Sequence, residues 1–82
     1  MRVRIVYCRR CGYQDRALEL ARDVITFFDD VSVELVPGND GVFDVFVNDE
    51  LVHSRFQTRR FPDSEEILSE VGRRRAALRS HK

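Results

Sequence analysis

The fold of this chain is decided by residues 2–12, RVRIVYCRRCG. Apolar side chains first alternate with arginine and then run on without a break to Tyr7, which predicts a largely buried β-strand over residues 2–7. Cys8 and Cys11 follow, separated by two residues, and immediately afterwards the apolar period becomes helical. We therefore expect both cysteines to lie where a strand passes into a helix.

The segment from Gly12 to Asp29 has the apolar period of an α-helix. Its apolar side chains occupy so much of the helix circumference that we expect the rest of the fold to cover most of it. One apolar stripe comprises Leu18, Ala21, Ile25 and Phe28. The side chains that widen this stripe are Ala17, Leu20, Val24 and Phe27.

Short segments of β-branched and aromatic residues predict three further strands. They comprise residues 31–35, 42–47 and 51–55. The segment Pro37–Gly41 is predicted to be a loop, because it is rich in turn-forming residues. Asn48 and Asp49 are predicted to form a tight hairpin turn with positive φ angles, and residues 56–62 a polar loop.

A last helix is predicted to begin near Asp63, where Glu66 three residues later completes a pattern like a capping box. Gly72 weakens the middle of this helix, so residues 73–82 are expected to be a basic helix end that frays. The apolar side of the helix comprises Ile67, Leu68, Val71 and Leu78.

The element order strand–helix–strand–strand–strand–helix predicts a single α/β domain over residues 1–82. The first two strands and the helix between them form a parallel βαβ unit, and the last two strands form an antiparallel hairpin. The result is a four-stranded mixed sheet with two helices, in two or three layers. A hairpin between the second and third strands is the alternative topology.

Composition narrows the classes of function. The 82 residues include 14 basic and 14 acidic side chains, so a general affinity for nucleic acid is not indicated. No apolar run approaches the roughly 20 residues that a membrane span needs. The start of the chain has no pattern of an export signal, which predicts a cytoplasmic protein whose paired cysteines are catalytic or metal-binding rather than structural.

Cys8 and Cys11 are the candidate catalytic residues. The free N–H groups at a helix start and the charges of Arg9 and Arg10 favour a thiolate, so we expect a thiol pKa below the free value of about 8.5. Two intervening residues allow one thiol to resolve a mixed disulfide formed by the other. Gly12 is expected to let backbone or substrate approach closely.

Tyr7, Tyr13 and Pro37 are candidates for a substrate groove, although aromatic residues are more often packing residues. No metal and no bound cofactor are expected. One C-x-x-C supplies two of the four ligands of a closed zinc site, and His53 and His81 lack metal-ligand spacing. A metal shared between two copies of the chain and a pair of inert buried cysteines are the less favoured alternatives.

Six segments carry a recognisable family pattern. They are Val6–Tyr13, Arg16–Ala21, Glu34–Gly38, Gly41–Val45, Glu50–Ser54 and Arg60–Asp63. Together they resemble the selenoprotein W-like Rdx family of thioredoxin-like redox proteins. The resemblance extends to about Val71, and the combined pattern is far more specific than the C-x-x-C motif alone.

The resemblance implies a thioredoxin-like fold and a redox role that is often linked to glutathione and antioxidant defence. In relatives that contain selenium, selenocysteine occupies the position of Cys11, so this chain looks like the all-cysteine form. That form keeps the dithiol and weakens the expectation of peroxide reactivity. In thioredoxin-like folds a cis-proline before the third strand faces the cysteines, which makes Pro37 the candidate for that place.

The resemblance also leaves two assignments of the attacking thiol. The second position is the more reactive one in the selenium-bearing relatives, whereas in thioredoxins the first cysteine attacks and the second resolves. We expect Cys8 to attack and Cys11 to resolve, because a residue at the very start of the helix is the most exposed and the closest to the free N–H groups.

The sequence thus predicts a thiol–disulfide redox protein, an oxidoreductase in class, that acts on protein thiols and disulfides or on glutathione. The alternative is a redox-sensitive adaptor without turnover, whose partner recognises the cysteine face in one oxidation state. A weaker hypothesis has the basic C-terminal residues bind an acidic partner, although the helix dipole already explains them. These residues are Arg73, Arg74, Arg75, Arg79 and Lys82. The sequence assigns no oligomeric state.

Overall fold

The computed structural model describes the backbone of residues 1–80 and the side chains of residues 1–78. The strands are β1 (Arg2–Cys8), β2 (Ser32–Gly38), β3 (Phe43–Val47) and β4 (Glu50–Ser54), and the helices are α1 (Gln14–Phe27), α2 (Arg55–Thr58) and α3 (Ser64–Ser80). Lys82, His81 and the side chain of Arg79 lie outside the described residues.

One mixed sheet with the strand order β2-β1-β3-β4 forms the centre of the molecule. β1 is parallel to β2, with Ile5 beside Leu35, and antiparallel to β3, with Ile5 beside Val45. β3 and β4 form the antiparallel hairpin. The predicted four-stranded α/β architecture is confirmed, and the alternative hairpin between β2 and β3 is wrong because β1 lies between those strands.

The core lies on one face of the sheet. Val3 and Ile5 are fully buried on that face of β1, whereas Arg2 on the other face is exposed and Arg4 is half-buried. Alternate residues of a strand point to opposite faces, so the sheet is covered on one side only and the fold has two layers. The buried residues of the core comprise Val3, Ile5, Tyr7, Ala17, Leu20, Val24, Phe28, Val31, Phe43, Val45, Val47, Ile67 and Val71.

Helix α1 is less covered than its sequence suggests. Ala17, Leu20 and Val24 are buried, whereas exposure reaches 53% at Ile25 and 69% at Phe27. The expectation of a largely covered helix is therefore wrong. The sheet and α3 contact only part of the circumference of α1, and the described chain has no further element to pack against the rest.

Strand β2 continues through the segment predicted to be a loop. Pro37 lies beside Tyr7 and Gly38 beside Cys8 in the register with β1. Pro37 is tolerated there because β2 is an edge strand, in which a missing N–H donor interrupts no ladder. The connecting loop is therefore shorter than predicted and runs from Asn39 to Val42. No peptide bond in the described chain is cis, so the bond before Pro37, whose isomer the sequence left open, is trans.

Two turns differ in how well the sequence predicts them. Asn48 and Asp49 form the β3–β4 turn with positive φ angles of 49° and 69°, as predicted. The first residues of the segment 56–62, which was predicted to be a loop, instead belong to α2. The C-cap residue of this helix, Arg59, has the left-handed conformation with a φ of 62°. The sequence over α2 has no apolar period that signals a helix, because one helical turn is too short to show one.

Only one of the two side-chain hydrogen bonds of the predicted capping box is present at the start of α3, the one accepted by Glu66. The N–H of Asp63 donates to Oε1 of Glu66 at 2.9 Å, and the N–H of Glu66 donates to the carbonyl of Asp63 at 3.1 Å. The helix then continues through Gly72 to Ser80. No helix in the described chain is long and apolar enough to cross a membrane.

Candidate functional site

Cys8 and Cys11 form a disulfide, and their Cα atoms are 5.3 Å apart. Cys8 is the last residue of β1, and its N–H donates to the carbonyl of Val42 at 2.8 Å. Cys11 lies in the turn that connects β1 to α1. The strand therefore holds one sulfur, and the turn brings the other sulfur back to it.

The two cysteines differ in exposure. Cys8 is 1% exposed, whereas Cys11 is an exposed residue. Helix α1 begins only at Gln14, so Cys8 lies six residues before the helix and not at its start. Both reasons for expecting Cys8 to attack first, its exposure and its closeness to the free helical N–H groups, are therefore wrong. Of the two cysteines, Cys11 is therefore the one on the surface.

Arg9, Arg10 and Gly12 shape the disulfide turn. Both arginines are exposed, and the N–H of Arg9 donates to the carbonyl of Gly38 at 3.3 Å. Gly12 has a φ of +79°, and no atom lies within 4 Å of the position where a Cβ would stand. The glycine is needed for its positive φ angle, and no other part of the described chain approaches it closely, whereas close approach of a substrate stays a prediction.

The three groove candidates have different surroundings. Tyr7 is 8% exposed and belongs to the core, so its ring is not available to line a groove. Pro37 is exposed on the edge strand, next to the residue that pairs with Cys8. Tyr13 is half-buried, and its N–H donates to the carbonyl of Cys8 at 3.3 Å. Pro37 and Tyr13 are therefore the two candidates that border the disulfide turn.

A cluster of arginine and aromatic side chains lies beside this turn. The rings of Tyr13 and Phe61 meet edge to face with centroids 4.8 Å apart, and Phe61 contacts the buried Phe43 in the same way at 5.2 Å. The guanidinium carbon of Arg16 lies 4.1 Å from the Phe61 centroid. That of Arg55 lies 5.4 Å from the Tyr13 centroid and 5.5 Å from the Phe61 centroid.

The sequence analysis did not identify this cluster. Arg16 and Tyr13 are three residues apart at the start of α1, and such spacing was a usable signal. Arg55 and Phe61 are brought in by the β3–β4 hairpin and the chain that follows it, so no local pattern indicates them.

A buried carboxylate oxygen lies on the strand beside the motif. Asp44 pairs with Val6 across the β1–β3 ladder, two residues along β3 from Val42. Its Oδ1 is buried and has no hydrogen-bond partner in the described part of the chain. Only the register of β1 with β3 places Asp44 there, so no local sequence pattern indicates it.

His53 is buried, whereas the sequence favoured an exposed or half-buried position. Its Nε2 lies 3.1 Å from the carbonyl of Arg60 and 3.2 Å from the hydroxyl of Thr58. The ring therefore fastens α2 and the following loop to β4. In residues 1–80 no three His, Cys, Asp or Glu side chains come together in a group able to hold a metal ion.

Comparison with known proteins identifies relatives over most of the chain. The model of the Rdx family matches residues 2–73. Selenoprotein W of Ovis aries is 36% identical over 80 residues, which cover 93% of this chain and 92% of that protein. Migration and invasion enhancer 1 of Bos taurus is 29% identical over 73 residues and 89% of this chain. The match spans only 64% of the length of that bovine protein.

Solved structures show the same fold. The crystal structure of a selenoprotein W-related protein from Vibrio cholerae superimposes with a TM-score of 0.82 at 28% identity, and the match covers 85% of this chain and 90% of that one. A protein from Bordetella parapertussis gives a TM-score of 0.83 at 32% identity, with coverages of 89% and 95%. The expected thioredoxin-like architecture is confirmed by these neighbours. Because the family model matches residues 2–73 and the ovine relative is matched over 92% of its length, this chain belongs to the Rdx family.

Proposed function

We propose that this protein exchanges thiols and disulfides through Cys8 and Cys11. The observation that carries the proposal is the asymmetry of the pair, in which a buried cysteine at the end of a strand is bonded to an exposed cysteine in a turn. An attacking thiolate needs access to one sulfur, and the other sulfur then leaves. A structural disulfide has no need of such an arrangement.

The proposed reaction begins at Cys11. A partner thiolate attacks the Sγ of Cys11, the disulfide breaks, and the electron pair leaves on the Sγ of Cys8, which takes up a proton. In the reverse direction the thiolate of Cys11 attacks a partner disulfide, and Cys8 resolves the mixed disulfide. Arg9 and Arg10 stand between the two cysteines, and their charges favour the thiolate forms.

The proposed partners are protein thiols and disulfides or glutathione, with the glutathione or thioredoxin system as the source of electrons and the cytoplasm as the location. Two grooves of the described surface have no cysteine in their lining; one lies beside Asn48 and Leu78 and the other beside Phe27 and Leu68. No deep pocket is needed for the proposed reaction, because a thiolate reaches Cys11 from the surface.

Thiol trapping and mass spectrometry across a glutathione redox titration test the proposal. We expect one reversible disulfide transition in the wild-type protein. Cys8→Ser is expected to accumulate a mixed disulfide with glutathione at Cys11, whereas Cys11→Ser leaves a buried Cys8 that forms little. No transition at any potential contradicts the dithiol mechanism, and equal mixed disulfide in the two variants contradicts attack at Cys11.

A redox-sensitive adaptor without turnover is the second candidate. It is favoured by the exposure of apolar side chains on α1, with Phe27 at 69% and Ile25 at 53%, since an adaptor needs a surface for a partner. The two functions differ in turnover. Catalytic acceleration of the reduction of a protein disulfide such as insulin by dithiothreitol supports the redox enzyme, and the uncatalysed rate at every protein concentration supports the adaptor.

A further inference from the structure

The two edges of the sheet are not equally open. Strand β4 is followed directly by α2, and its ladder with β3 contains a register shift between Val45 and Phe46. Strand β2 has seven residues that pair with β1 without a break, and no strand of the described chain lies on its other side. A further strand can therefore be added to the sheet at β2.

The free edge of β2 carries the backbone groups of Val33 and Leu35. The N–H of Ser32 donates to the carbonyl of Met1, which precedes β1, at 3.1 Å. The N–H and C=O groups of a strand residue point to the same side, and that side alternates along the strand. The even-numbered residues of β2 thus face β1. Val33 and Leu35 face away from it and present their N–H donors and carbonyl acceptors to another strand.

One flank of α1 lies over this edge. Helix α1 contacts β1 and β2, whereas α3 is bound to β4 through Arg74 and Glu50. The two helices therefore lie side by side on the sheet, with α1 on the side of β2. The flank of α1 that faces α3 contains Phe27, which lines a groove together with Leu68 of α3. The opposite flank faces outward, beyond the edge of the sheet.

The outward flank of α1 is apolar. With about 3.6 residues per turn, Leu18 and Ile25 lie on the flank opposite Phe27, and they are 46% and 53% exposed. Below them, the side chains of Val33 and Leu35 point to the core face and are half-buried, whereas their neighbours on β1 are fully buried. We call these side chains, together with the free backbone edge of β2, the β2 edge surface. Its members are Leu18, Ile25, Val33 and Leu35.

The two ends of the β2 edge surface carry opposite charges. Asp29 lies shortly before β2, and at the other end the carbonyl of Gly38 accepts the N–H of Arg9 at 3.3 Å. Arg10 follows in the same turn. Asp29, Arg9 and Arg10 are exposed, and none of them is in an ion pair within residues 1–78. An antiparallel second copy would place the acidic end of each chain beside the basic end of the other.

We propose that the β2 edge surface binds a second copy of the chain. The two β2 strands pair antiparallel about a two-fold axis, so that the sheets of the two copies become one and the outward flanks of their α1 helices meet. Adjacent strands lie about 4.8 Å apart, so two helices that each lie between β1 and β2 are about 10 Å apart, the spacing of packed helices. The surface includes neither cysteine, so this inference is independent of the proposed thiol exchange.

The sequence of β2 selects the register of this pairing. An axis at Leu35, the middle residue of the strand, overlaps all seven residues of the two strands. It places Glu34 opposite Val36 of the second copy, whereas an axis at Glu34 would set two like charges directly opposite each other. Pro37 then lies opposite Val33; it has no N–H, but its carbonyl accepts the N–H of Val33. The pairing is therefore made by the bonds between the two Leu35 residues and those from Val33 to Pro37.

Hydrogen exchange at a series of protein concentrations tests the pairing residue by residue. The amides of Glu34 and Val36 face β1 and should be protected at every concentration. Those of Val33 and Leu35 have no partner strand in a single copy, so we expect their exchange to slow as the dimer forms. Fast exchange at Leu35 under conditions in which the protein is a dimer overturns the proposal, and so does a monomer at every concentration up to the solubility limit.

Sedimentation equilibrium of matched variants tests the side chains. Ile25→Glu places a charge in the apolar interface and should raise the dimer dissociation constant at least about tenfold. Phe27→Glu is the matched control, because Phe27 is on the same helix, is 69% exposed and lies on the flank that faces α3. It should leave the dissociation constant unchanged. Thermal melts establish that both variants are folded, and an equal rise in the two variants overturns the proposed surface.

A charge reversal tests the orientation of the two copies. Asp29→Arg should raise the dissociation constant about fivefold, because it sets like charges beside each other at both ends of the interface. Adding Arg9→Asp and Arg10→Asp to this variant exchanges the charges and should restore most of the affinity. No effect of Asp29→Arg, or no recovery in the combined variant, overturns the antiparallel arrangement.

Discussion

Glu66 is the single residue at which protonation most clearly affects the fold. Arg60 donates to its two carboxylate oxygens at 2.7 Å and 2.6 Å, and the N–H of Asp63 donates to Oε1 at 2.9 Å. The bonds from Arg60 first, and then that from Asp63, lower the pKa of Glu66 from its ordinary 4.5 to about 2. The folded protein thus keeps this carboxylate charged at a lower pH than the unfolded chain does.

A pH-dependent contribution to stability follows. Because the pKa is lowered in the folded state, the stabilisation is fully present above pH 4.5 and is lost as the pH falls towards about 2. Glu66→Gln should therefore reduce the free energy of unfolding more at pH 6 than at pH 2.5, as measured by urea denaturation. Glu65→Gln in the same helical turn is the control. A Glu66→Gln effect that is the same at both pH values contradicts the prediction.

The roles of the two cysteines show what residue-level reasoning achieves here. The spacing of Cys8 and Cys11 was sufficient to predict that the two cysteines lie together at the end of a strand, and their reactivity stays a prediction. Their exposures were not predictable, because they depend on where β1 ends and α1 begins. β1 includes Cys8, and α1 starts only at Gln14. Because β1 ends later and α1 begins later than predicted, Cys8 is the buried cysteine and Cys11 the exposed one.

At the scale of the elements, two glycines test how tightly β2 and α3 are packed. A Cβ at Gly38 would stand 2.8 Å from Cγ1 of Val42 and 3.1 Å from Cγ1 of Val6. A Cβ at Gly72 would stand 3.6 Å from Cζ of Phe28, an ordinary contact. The same substitution should therefore have opposite effects on the two elements.

We expect Gly38→Ala to lower the free energy of unfolding by about 1–3 kcal/mol, because the edge strand and the valines must move to admit the methyl group. Gly72→Ala should raise it by about 0.5–1 kcal/mol, because alanine favours the helix and its methyl group fits. Chemical denaturation of the two variants under the same conditions measures both. Loss of stability in Gly72→Ala, or none in Gly38→Ala, would show that the packing of these elements is not as described.

Elements were predicted best where the apolar period was long and local. The parallel pair β1–β2 and the hairpin at Asn48 and Asp49 both have local signals, whereas the pairing of β3 with β1, which completes the strand order, has none. The extension of β2 through Pro37 was missed, because edge position removes the penalty that proline carries in a central strand. The coverage of α1 was overestimated, because periodicity shows which side chains are apolar and not how many partners the fold provides.

At the scale of the whole molecule, zero net charge conceals an uneven distribution. Ion pairs connect α3 to distant parts of the chain, since Arg75 binds Asp30 through Nε at 3.0 Å and Arg74 binds Glu50 on β4. Around the disulfide, arginines have rings or solvent in place of carboxylates. The sequence alone does not predict this separation, because partners such as Arg75 and Asp30 are 45 residues apart.

The C-terminal arginines consequently have a structural role that the helix dipole alone did not suggest. Arg74 is bonded to Glu50 on β4 and, through Nε at 2.9 Å, to Glu70 on its own helix. Its side chain is 27% exposed, whereas that of Arg73 is 69% exposed and pairs only within α3. An acidic partner that bound these arginines would have to displace carboxylates of the protein itself.

Arg74→Met removes an arginine that pairs with β4, whereas Arg73→Met removes one that pairs only within α3. Methionine retains part of the apolar stem of arginine and removes its charge. We expect Arg74→Met to lower the free energy of unfolding by about 1 kcal/mol, and Arg73→Met by less than about 0.3 kcal/mol, since isolated exposed pairs contribute little. Urea denaturation at low salt measures the difference. In 1 M salt the Arg74→Met effect should shrink but not vanish, because the pair of Arg74 with Glu70, whose side chains are both 27% exposed, is screened less than an exposed pair. Equal effects of the two substitutions at low salt would mean that the bond to β4 adds nothing, and that α3 is held to the sheet by Ile67 and Val71 alone.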